Sequence, residues 1–407
     1  MTLAFAIAWR NLWRNKRRTW LTAGGMAFAI IIVVASMAVQ RGSYRDMIEN
    51  ATGLITGHIQ VQSIKFVDEE EFRFTIENSN TVIEKIRSIQ QVVTAAPRLQ
   101  TFALVSAGER SVGAQVMGVS PSLEQQLSLL PARLKEGVYL ETPQGAYIGA
   151  ALARNLGVGL QDELIVLGTE KNGGVAALGV VVTGIFESGF QPIDRSLIQV
   201  NLTAMREAFA LGEEAHTIVV SGSELGAVDQ LVEQIENQLN QSELVVRPWT
   251  DLLPEVKQAI EVDKIGGYFF FWLLLVLVAF SVVNTFIMTV FERKKELGMV
   301  VALGMRPRKV LALVQLEAFV MWALGCGIGV LVSVVLVLIF AKVGIYLGDA
   351  AQALTTQVYM SARIYPELTP WSLNMAPLVL LVGTQLAAFV ASYRLLRMRP
   401  SDAMRSE

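Results

Sequence analysis

Four long apolar runs constrain the fold of this chain more than any other feature of its sequence. They occupy about residues 20–39, 266–291, 314–343 and 372–393. A helix needs about 20 apolar residues to cross a hydrocarbon core roughly 30 Å thick, and each run reaches that length. The last run is the weakest on hydropathy, because Asn374, Thr384 and Gln385 dilute it. The sequence therefore predicts four membrane-spanning helices.

The basic residues lie beside these runs and predict their orientation. Five precede the first run, six lie within 292–309, and four follow the last run. With four spans all three clusters face one side of the membrane, and the positive-inside rule makes that side the cytoplasm. Segment 41–265 then lies outside, and its 17 Lys and Arg against 29 Asp and Glu give it a formal charge of −12. An acidic exterior argues against a nucleic-acid partner.

The N-terminal run is preceded by basic residues, as a cleavable signal peptide is. The run is longer than the usual apolar core of a signal peptide, and cleavage would leave an odd number of spans, so we expect a retained anchor. Residues 1–19 are then a cytoplasmic amphipathic segment. The single cysteine, Cys326, lies in the third run, so the sequence predicts no disulfide within the chain.

The long segment 41–265 predicts an α+β domain flanked by two stalk helices. Strand and helix patterns near its two ends suggest a split βαβ module. Between them, about residues 121–211, short Val- and Ile-rich stretches separated by Gly and Asp predict an inserted, mostly-β lobe. The fold class is thus a four-span α-helical membrane protein with a large extracytoplasmic α+β domain. The remaining segments are a cytoplasmic loop at 292–313, an exterior loop at 344–371 and a cytoplasmic tail at 394–407.

No pattern in the chain predicts catalysis or a cofactor. The sequence lacks GxxxxGK[ST], GxSxG and HExxH, so neither a P-loop nor a serine hydrolase or zinc protease site is expected. Its two histidines, His58 and His216, lie on separate predicted strands, and we expect no metal site. We predict a protein that is not an enzyme. Glu317 is the exceptional ionisable group in the third run, with either an interfacial or a functional role.

Two further features concern the membrane part. The glycines of the third run could permit close helix packing, although glycine enrichment is common in spans; they are Gly325, Gly327 and Gly329. The charged, partly apolar stretch 292–304 follows the second run. By composition alone it is a solvated basic loop that only sets topology.

The stretch ERKKELGMVVALG at 292–304 fits the pattern E-R-x-x-E-[IL]-G-x-x-x-A-[LIM]-G. In this pattern and elsewhere the chain resembles FtsX/MacB-type ABC transporter permeases. AWRNLWRNKRRTWLT and RMRPSDAMR resemble the two ends of that family. GAALARNLGVGLQDELIVLG, VTGIFESGFQPIDRSLIQVNL and GHIQV resemble its LolC/LolE lipoprotein-releasing branch.

The resemblance implies a bacterial inner-membrane permease that forms a dimer, with an identical or a paralogous subunit, and binds two copies of a separate cytoplasmic ATPase. It implies that 292–304 is the helix docking into the ATPase, and it identifies the coupling residues Glu292, Arg293, Glu296, Leu297, Gly298, Val301, Ala302, Leu303 and Gly304. The implied task is lipoprotein release to a periplasmic carrier. The alternatives are a MacB-like efflux permease working with an adaptor and an outer-membrane duct, and an FtsX-like regulator of a cell-wall hydrolase.

Overall fold

The computed structural model describes residues 2–69, 71–293, 295–296, 299–300, 305–348, 359 and 363–396. These residues form two compact units. The helical unit takes the described residues of 1–44, 260–346 and 363–407. The β-rich unit takes those of 45–259 and 347–362.

The elements are numbered along the chain. The helices are α1 (Thr2–Arg14), α2 (Lys16–Ala51), α3 (Ile64–Glu69), α4 (Ser79–Arg87), α5 (Pro121–Leu127), α6 (Ala150–Leu156), α7 (Gln191–Ser196), α8 (Leu202–Ala208), α9 (Val228–Leu239), α10 (Trp249–Leu252), α11 (Pro254–Glu292), α12 (Pro307–Val343) and α13 (Pro370–Leu396). The strands are β1 (Ile59–Ser63), β2 (Val92–Ala107), β3 (Arg110–Val119), β4 (Leu134–Gly137), β5 (Gly145–Gly149), β6 (Glu163–Thr169), β7 (Val175–Phe186), β8 (Leu197–Asn201), β9 (Thr217–Gly222), β10 (Leu244–Pro248), β11 (Ile345–Tyr346) and β12 (Arg363–Ile364).

Among the residues that the structure describes, four helical segments are long and apolar enough to cross a membrane. They are Lys16–Thr56, Pro254–Thr289, Arg308–Val343 and Pro370–Ser392. The predicted number of spans is therefore confirmed. The first and second segments extend beyond the apolar runs, since α2 continues to Ala51 and α11 begins at Pro254. The sequence had predicted stalk helices at these two places.

The helical unit buries one apolar cluster formed by α1, α2, α11, α12 and α13. Its outer surface is also apolar, with Phe280 and Leu331 among the exposed side chains. Helices that are apolar on all sides are typical of membrane spans, where lipid covers the outer face. Within the unit, the Trp322 indole N–H of α12 donates to the carbonyl of Pro377 in α13, at 2.9 Å.

The first lobe of the β-rich unit is a four-stranded antiparallel sheet in the order β10-β1-β9-β2. Helix α4 connects β1 to β2, and α9 connects β9 to β10. The apolar residues of both helices and of the sheet form one buried cluster. This topology is the split βαβ module that the sequence predicted. Its second βαβ unit follows the first only after a long insertion.

The inserted lobe is built around six strands whose pairing closes on itself. β2 pairs with β3, β3 with β8, β8 with β5, β5 with β7, β7 with β6, and β6 again with β2. Closure leaves these six strands without a free edge, and alternate side chains fill the interior. The lobe includes β3 and the second half of β2, which precede residue 121. It therefore begins earlier in the chain than the range 121–211 that turn patterns suggested.

The loop predicted at 344–371 contains β11 and β12, which pair antiparallel through Ile345 with Ile364 and Tyr346 with Arg363. Residues 349–358 and 360–362 of this loop lie outside the described residues, as does most of the 394–407 tail.

Candidate functional site

A buried carboxylate lies at the centre of an ionic cluster in the helical unit. Glu317, on the third turn of α12, exposes only 7% of its side chain. The Arg293 guanidinium donates from Nη1 to both Glu317 oxygens, at 3.0 and 2.8 Å. The Asn11 amide of α1 donates to Glu317 Oε1 at 2.6 Å. Glu317 therefore joins the N-terminal helix, the residue that follows α11, and α12.

Two more ion pairs join the N-terminal segment to the same region. Arg14 Nη2 donates to both oxygens of Glu296 at 3.0 Å. Arg18 forms a second pair with Glu292, the last residue of α11. Arg293 also reaches Glu296, with 3.3 Å between Nε and Oε2. The basic N-terminal segment and the acidic residues around 292–296 are thus paired side chain by side chain.

The charges of this cluster shift two pKa values. Burial alone would lower the pKa of the Arg293 guanidinium, but the carboxylates of Glu317 and Glu296 outweigh that effect and raise it. Hydrogen bonding from Arg14 lowers the pKa of the Glu296 carboxyl, and Arg293 adds to this effect. The Arg293 guanidinium and the Glu296 carboxylate are therefore ionised near neutral pH. Residues of the cluster also line a polar cavity of about 100 Å³. Ions held by several hydrogen bonds can fix helix ends in place, but nothing in this arrangement resembles a nucleophile with its base.

The three glycines of α12 have different surroundings. A Cβ atom at Gly325 would lie 3.0 Å from the carbonyl oxygen of Ala23, and one at Gly329 would lie 2.9 Å from Cβ of Ile30. Both neighbours belong to α2, so α2 and α12 approach closely where these glycines lie. A Cβ at Gly327 would meet no described atom within 4 Å.

Comparison with known families covers both units of the chain. A sequence model of the MacB-like periplasmic core domain matches residues 19–238. A model of the FtsX-like permease C-terminal domain matches residues 268–400. The chain belongs to the FtsX/MacB-type family of ABC transporter permeases. The permease therefore combines a MacB-like periplasmic core domain with an FtsX-like membrane domain, which confirms the resemblance inferred from the sequence motifs.

Full-length relatives of the permease include lipoprotein-releasing system proteins. It is 23% identical to LolC of Xylella fastidiosa, over 94% of this chain and 92% of that protein. It is 21% identical to LolC of Neisseria meningitidis, over 96% of this chain and 94% of that protein. LolE of Haemophilus influenzae is 21% identical, with 100% of both chains covered.

A solved structure of the periplasmic region of MacB from Actinobacillus actinomycetemcomitans aligns with a TM-score of 0.37. The two are 15% identical, over 53% of this chain and 97% of that one. The extracellular domain of the Gram-positive transporter YknZ aligns with a TM-score of 0.34 and 11% identity, over 46% of this chain and 98% of that one.

The structure describes three of the residues that the motif predicts to couple the permease to an ATPase. Glu292, Arg293 and Glu296 all belong to the ionic cluster. The other six lie outside the described residues: Leu297, Gly298, Val301, Ala302, Leu303 and Gly304. The sequence had singled out Glu317 without a partner, and it missed Asn11, Arg14 and Arg18. The complementary charge of two segments predicted on one face of the membrane was the available signal for the two arginines.

The structure shows no group of three or more His, Cys, Asp or Glu residues that could hold a metal, within the part of the chain it describes. His58 Nδ1 accepts from the backbone N–H of Gly222 at 3.1 Å. His216 Nδ1 accepts from the N–H of Gln100 at 3.0 Å, and its Nε2 lies 2.7 Å from the carbonyl oxygen of Phe72. Each ring is hydrogen-bonded within the protein.

Proposed function

We propose that this permease couples ATP hydrolysis by a separate cytoplasmic ATPase to the release of lipoproteins from the inner membrane. Two ATPase copies bind a dimer of permease subunits, and the released lipoprotein passes to a periplasmic carrier. The full-length similarity to proteins named as lipoprotein-releasing supports the substrate. The second permease subunit is either an identical copy or a paralogue.

The ionic cluster is the observation that carries the proposal of energy coupling. Arg293 lies at the start of the 292–304 segment, and its two hydrogen bonds to Glu317 join that end of the segment to α12. Arg14 and Arg18 join it to the N-terminal segment as well. A force applied to 292–304 would therefore act on three helices together, which is what a docking element for an ATPase requires.

The cluster also supports the proposed orientation. The basic residues of the N-terminal segment contact carboxylates at 292–296, so these two segments lie together on one face of the helical unit. We assign that face to the cytoplasm by the positive-inside rule, with both termini on the same side. The acidic segment 41–265 then lies in the periplasm.

The test of coupling is Leu297→Asp in the proposed docking segment. An acidic group in a desolvated apolar contact costs several kcal/mol, so we expect the variant to insert normally but to lose the ATPase in co-purification. Val175→Asp is the matched control, since Val175 is 79% exposed in the inserted lobe. If Leu297→Asp binds the ATPase as the wild type does, the segment only sets topology.

The substrate is tested by mass spectrometry of what co-purifies with the permease in mild detergent. Lipid-modified proteins in the complex, released when ATP is added, support lipoprotein release. A co-purified adaptor protein with an outer-membrane duct would replace the proposal by efflux, and a cell-wall hydrolase would replace it by regulation.

A further inference from the structure

The first stalk ends in a π-helical turn whose carbonyls are held from outside the helix. This turn, Thr52–Thr56, directly follows α2, and the N–H of Gly57 closes it on the carbonyl of Thr52 at 2.8 Å. The carbonyls of residues 53 to 56 accept, in order, from Leu129 N (2.7 Å), Ser128 Oγ (3.2 Å), Arg98 Nη1, and Gln60 Nε2 (2.9 Å). The last four carbonyls of a helix lack partners within it, and here protein side chains and backbone supply all four. The turn, which belongs to the β-rich unit, is therefore held within that unit by directional bonds.

Arg98 lies where β2 passes from one lobe to the other. It is the last residue of β2 that pairs in the first lobe, with Thr217 of β9. The next residue, Leu99, is the first to pair in the second lobe, with Gly118 of β3. The side chain that holds the stalk end therefore projects from the junction between the lobes.

A buried polar chain continues from Arg98 into the second lobe. Arg98 and Glu124 of α5 form a bidentate pair at 3.0 and 2.7 Å, with side chains only 3% and 1% exposed. Gln199 of β8 donates to Glu124 at 3.2 Å and accepts from the Tyr139 hydroxyl at 3.2 Å. Bidentate, fully buried contacts of this kind have a fixed geometry. This series of hydrogen bonds thus runs without a break from the carbonyl of Ile55 to Gln199 and Tyr139 in the second lobe.

The π turn also lies beside open space. A cavity of about 510 Å³ is lined by Gly53, His58, Gln126 and Leu129, together with other residues around the turn. Close-packed protein interiors do not allow an element to shift without displacing its neighbours. The cavity gives the π turn room to shift, and π turns are frequent at functional sites.

We propose that Arg98 is a positioning residue that transmits displacement of the π turn to the second lobe, through Glu124 and Gln199. The proposal rests on the proposed function in one respect, namely that ATP binding moves the stalk. Without the Arg98 contact, the turn would still move, and its remaining contacts would displace the second lobe by a smaller amount.

The experiment measures the distance between the lobes in the full permease–ATPase complex. Spin labels are placed at Glu233 on α9 of the first lobe and at Asn155 on α6 of the second lobe, both exposed. The single native cysteine is first replaced as Cys326→Ser. Distances are recorded without nucleotide and with ATP and vanadate. In the otherwise wild-type complex, we expect nucleotide to shift the distance distribution.

Two variants remove the link in different ways. Arg98→Met with Glu124→Leu replaces the pair by apolar side chains, which avoids an unpaired buried charge. Arg98→Lys keeps a cation beside Glu124 but removes the guanidinium fork, so it serves if the double variant does not fold. Lys171→Met with Glu214→Leu is the matched control, because this pair lies in the same unit with 2.6 Å between its atoms.

We expect the nucleotide-dependent shift to fall at least threefold in a folded Arg98 variant and to persist in the Lys171 control. An undiminished shift in the Arg98 variant overturns the proposal, as does the absence of any shift in the wild-type complex. Lipoprotein release is measured separately on the wild type. Its absence would contradict the proposed function, while the distances would still decide the role of Arg98.

Discussion

Arg293 and Glu317 are 24 residues apart in the chain, yet they form two hydrogen bonds at 3.0 and 2.8 Å, largely shielded from solvent. This ion pair connects the end of one candidate span to the first turns of the next. Ion pairs in such places are costly to desolvate, so an isolated one contributes little net stability. Removing one partner of such a pair is strongly destabilising, because the remaining charge is left unpaired in a partly buried place.

Glu317→Ala should therefore destabilise the helical unit markedly. Losing one partner of a buried pair costs about 3 kcal/mol, although Glu296 still contacts Arg293 and reduces the loss. Glu292→Ala is the matched control, because its pair with Arg18 is half exposed and contributes less than about 1 kcal/mol. Thermal unfolding of both variants in detergent checks this. Equal midpoints for the two variants would contradict a central role for Glu317.

The glycines of α12 offer a comparison within one helix. Gly329→Leu should weaken the packing of α2 against α12, because a Cβ there already lies within 3.0 Å of Ala27 and Ile30. Overpacking of this kind typically costs about 1–3 kcal/mol. Gly327→Leu should be nearly neutral, since a Cβ at Gly327 meets no described atom within 4 Å. The relative thermal midpoints in detergent measure the difference, and a reversed order would mean that α2 and α12 pack otherwise.

Orientation can be tested with single cysteines in a Cys326→Ser background. A cysteine at the exposed residue Gln144 should react with a membrane-impermeant maleimide in intact spheroplasts, whereas one at Arg306 should react only after lysis. The reason is the placement of basic residues on the cytoplasmic side. Labelling of Arg306→Cys alone in intact cells would reverse the topology.

The stability of the β-rich unit should fall in mild acid because of His216. Burial beneath two aromatic rings lowers the pKa of its imidazole to about 4. Its Nδ1 accepts a hydrogen bond, which only an unprotonated nitrogen can do. Between about pH 6.5 and pH 4 the unfolded chain binds a proton that the folded chain excludes, so the free energy of unfolding decreases as the pH falls. The full window corresponds to a loss of about 3 kcal/mol in the free energy of unfolding, and this loss is almost absent above about pH 7.5.

His216→Gln should be less stable than wild type at pH 7.5 but lose less stability on going to pH 4.5. Urea unfolding of fragment 45–259 at both pH values measures this, and we expect the fragment to fold alone because each lobe has its own core. His58→Gln is the control, since burial lowers the pKa of His58 as well and that variant keeps the His216 contribution. An unchanged pH dependence in His216→Gln would assign the acid sensitivity to other groups.

The sequence by itself determined the elements whose signal is local. Apolar runs of 18 or more residues predict spans, because backbone groups in lipid must bond within one helix. Alternating Val and Ile stretches predict strands, and Gly108, which has a φ of +57°, marks the β2–β3 hairpin. The motif at 292–304 and the charge asymmetry are local signals as well, and the docking helix and the orientation inferred from them stay predictions.

Only the tertiary structure decided which distant groups meet. No local pattern shows that β6 returns to β2 and closes the inserted lobe, or that the lobes divide at Arg98. Glu317 could be recognised as unusual, but its partner Asn11 lies on α1 and its partner Arg293 directly follows α11. Polar groups buried in a core must find partners wherever the fold brings donors and acceptors together, and that meeting depends on the packing of whole elements rather than on sequence neighbours.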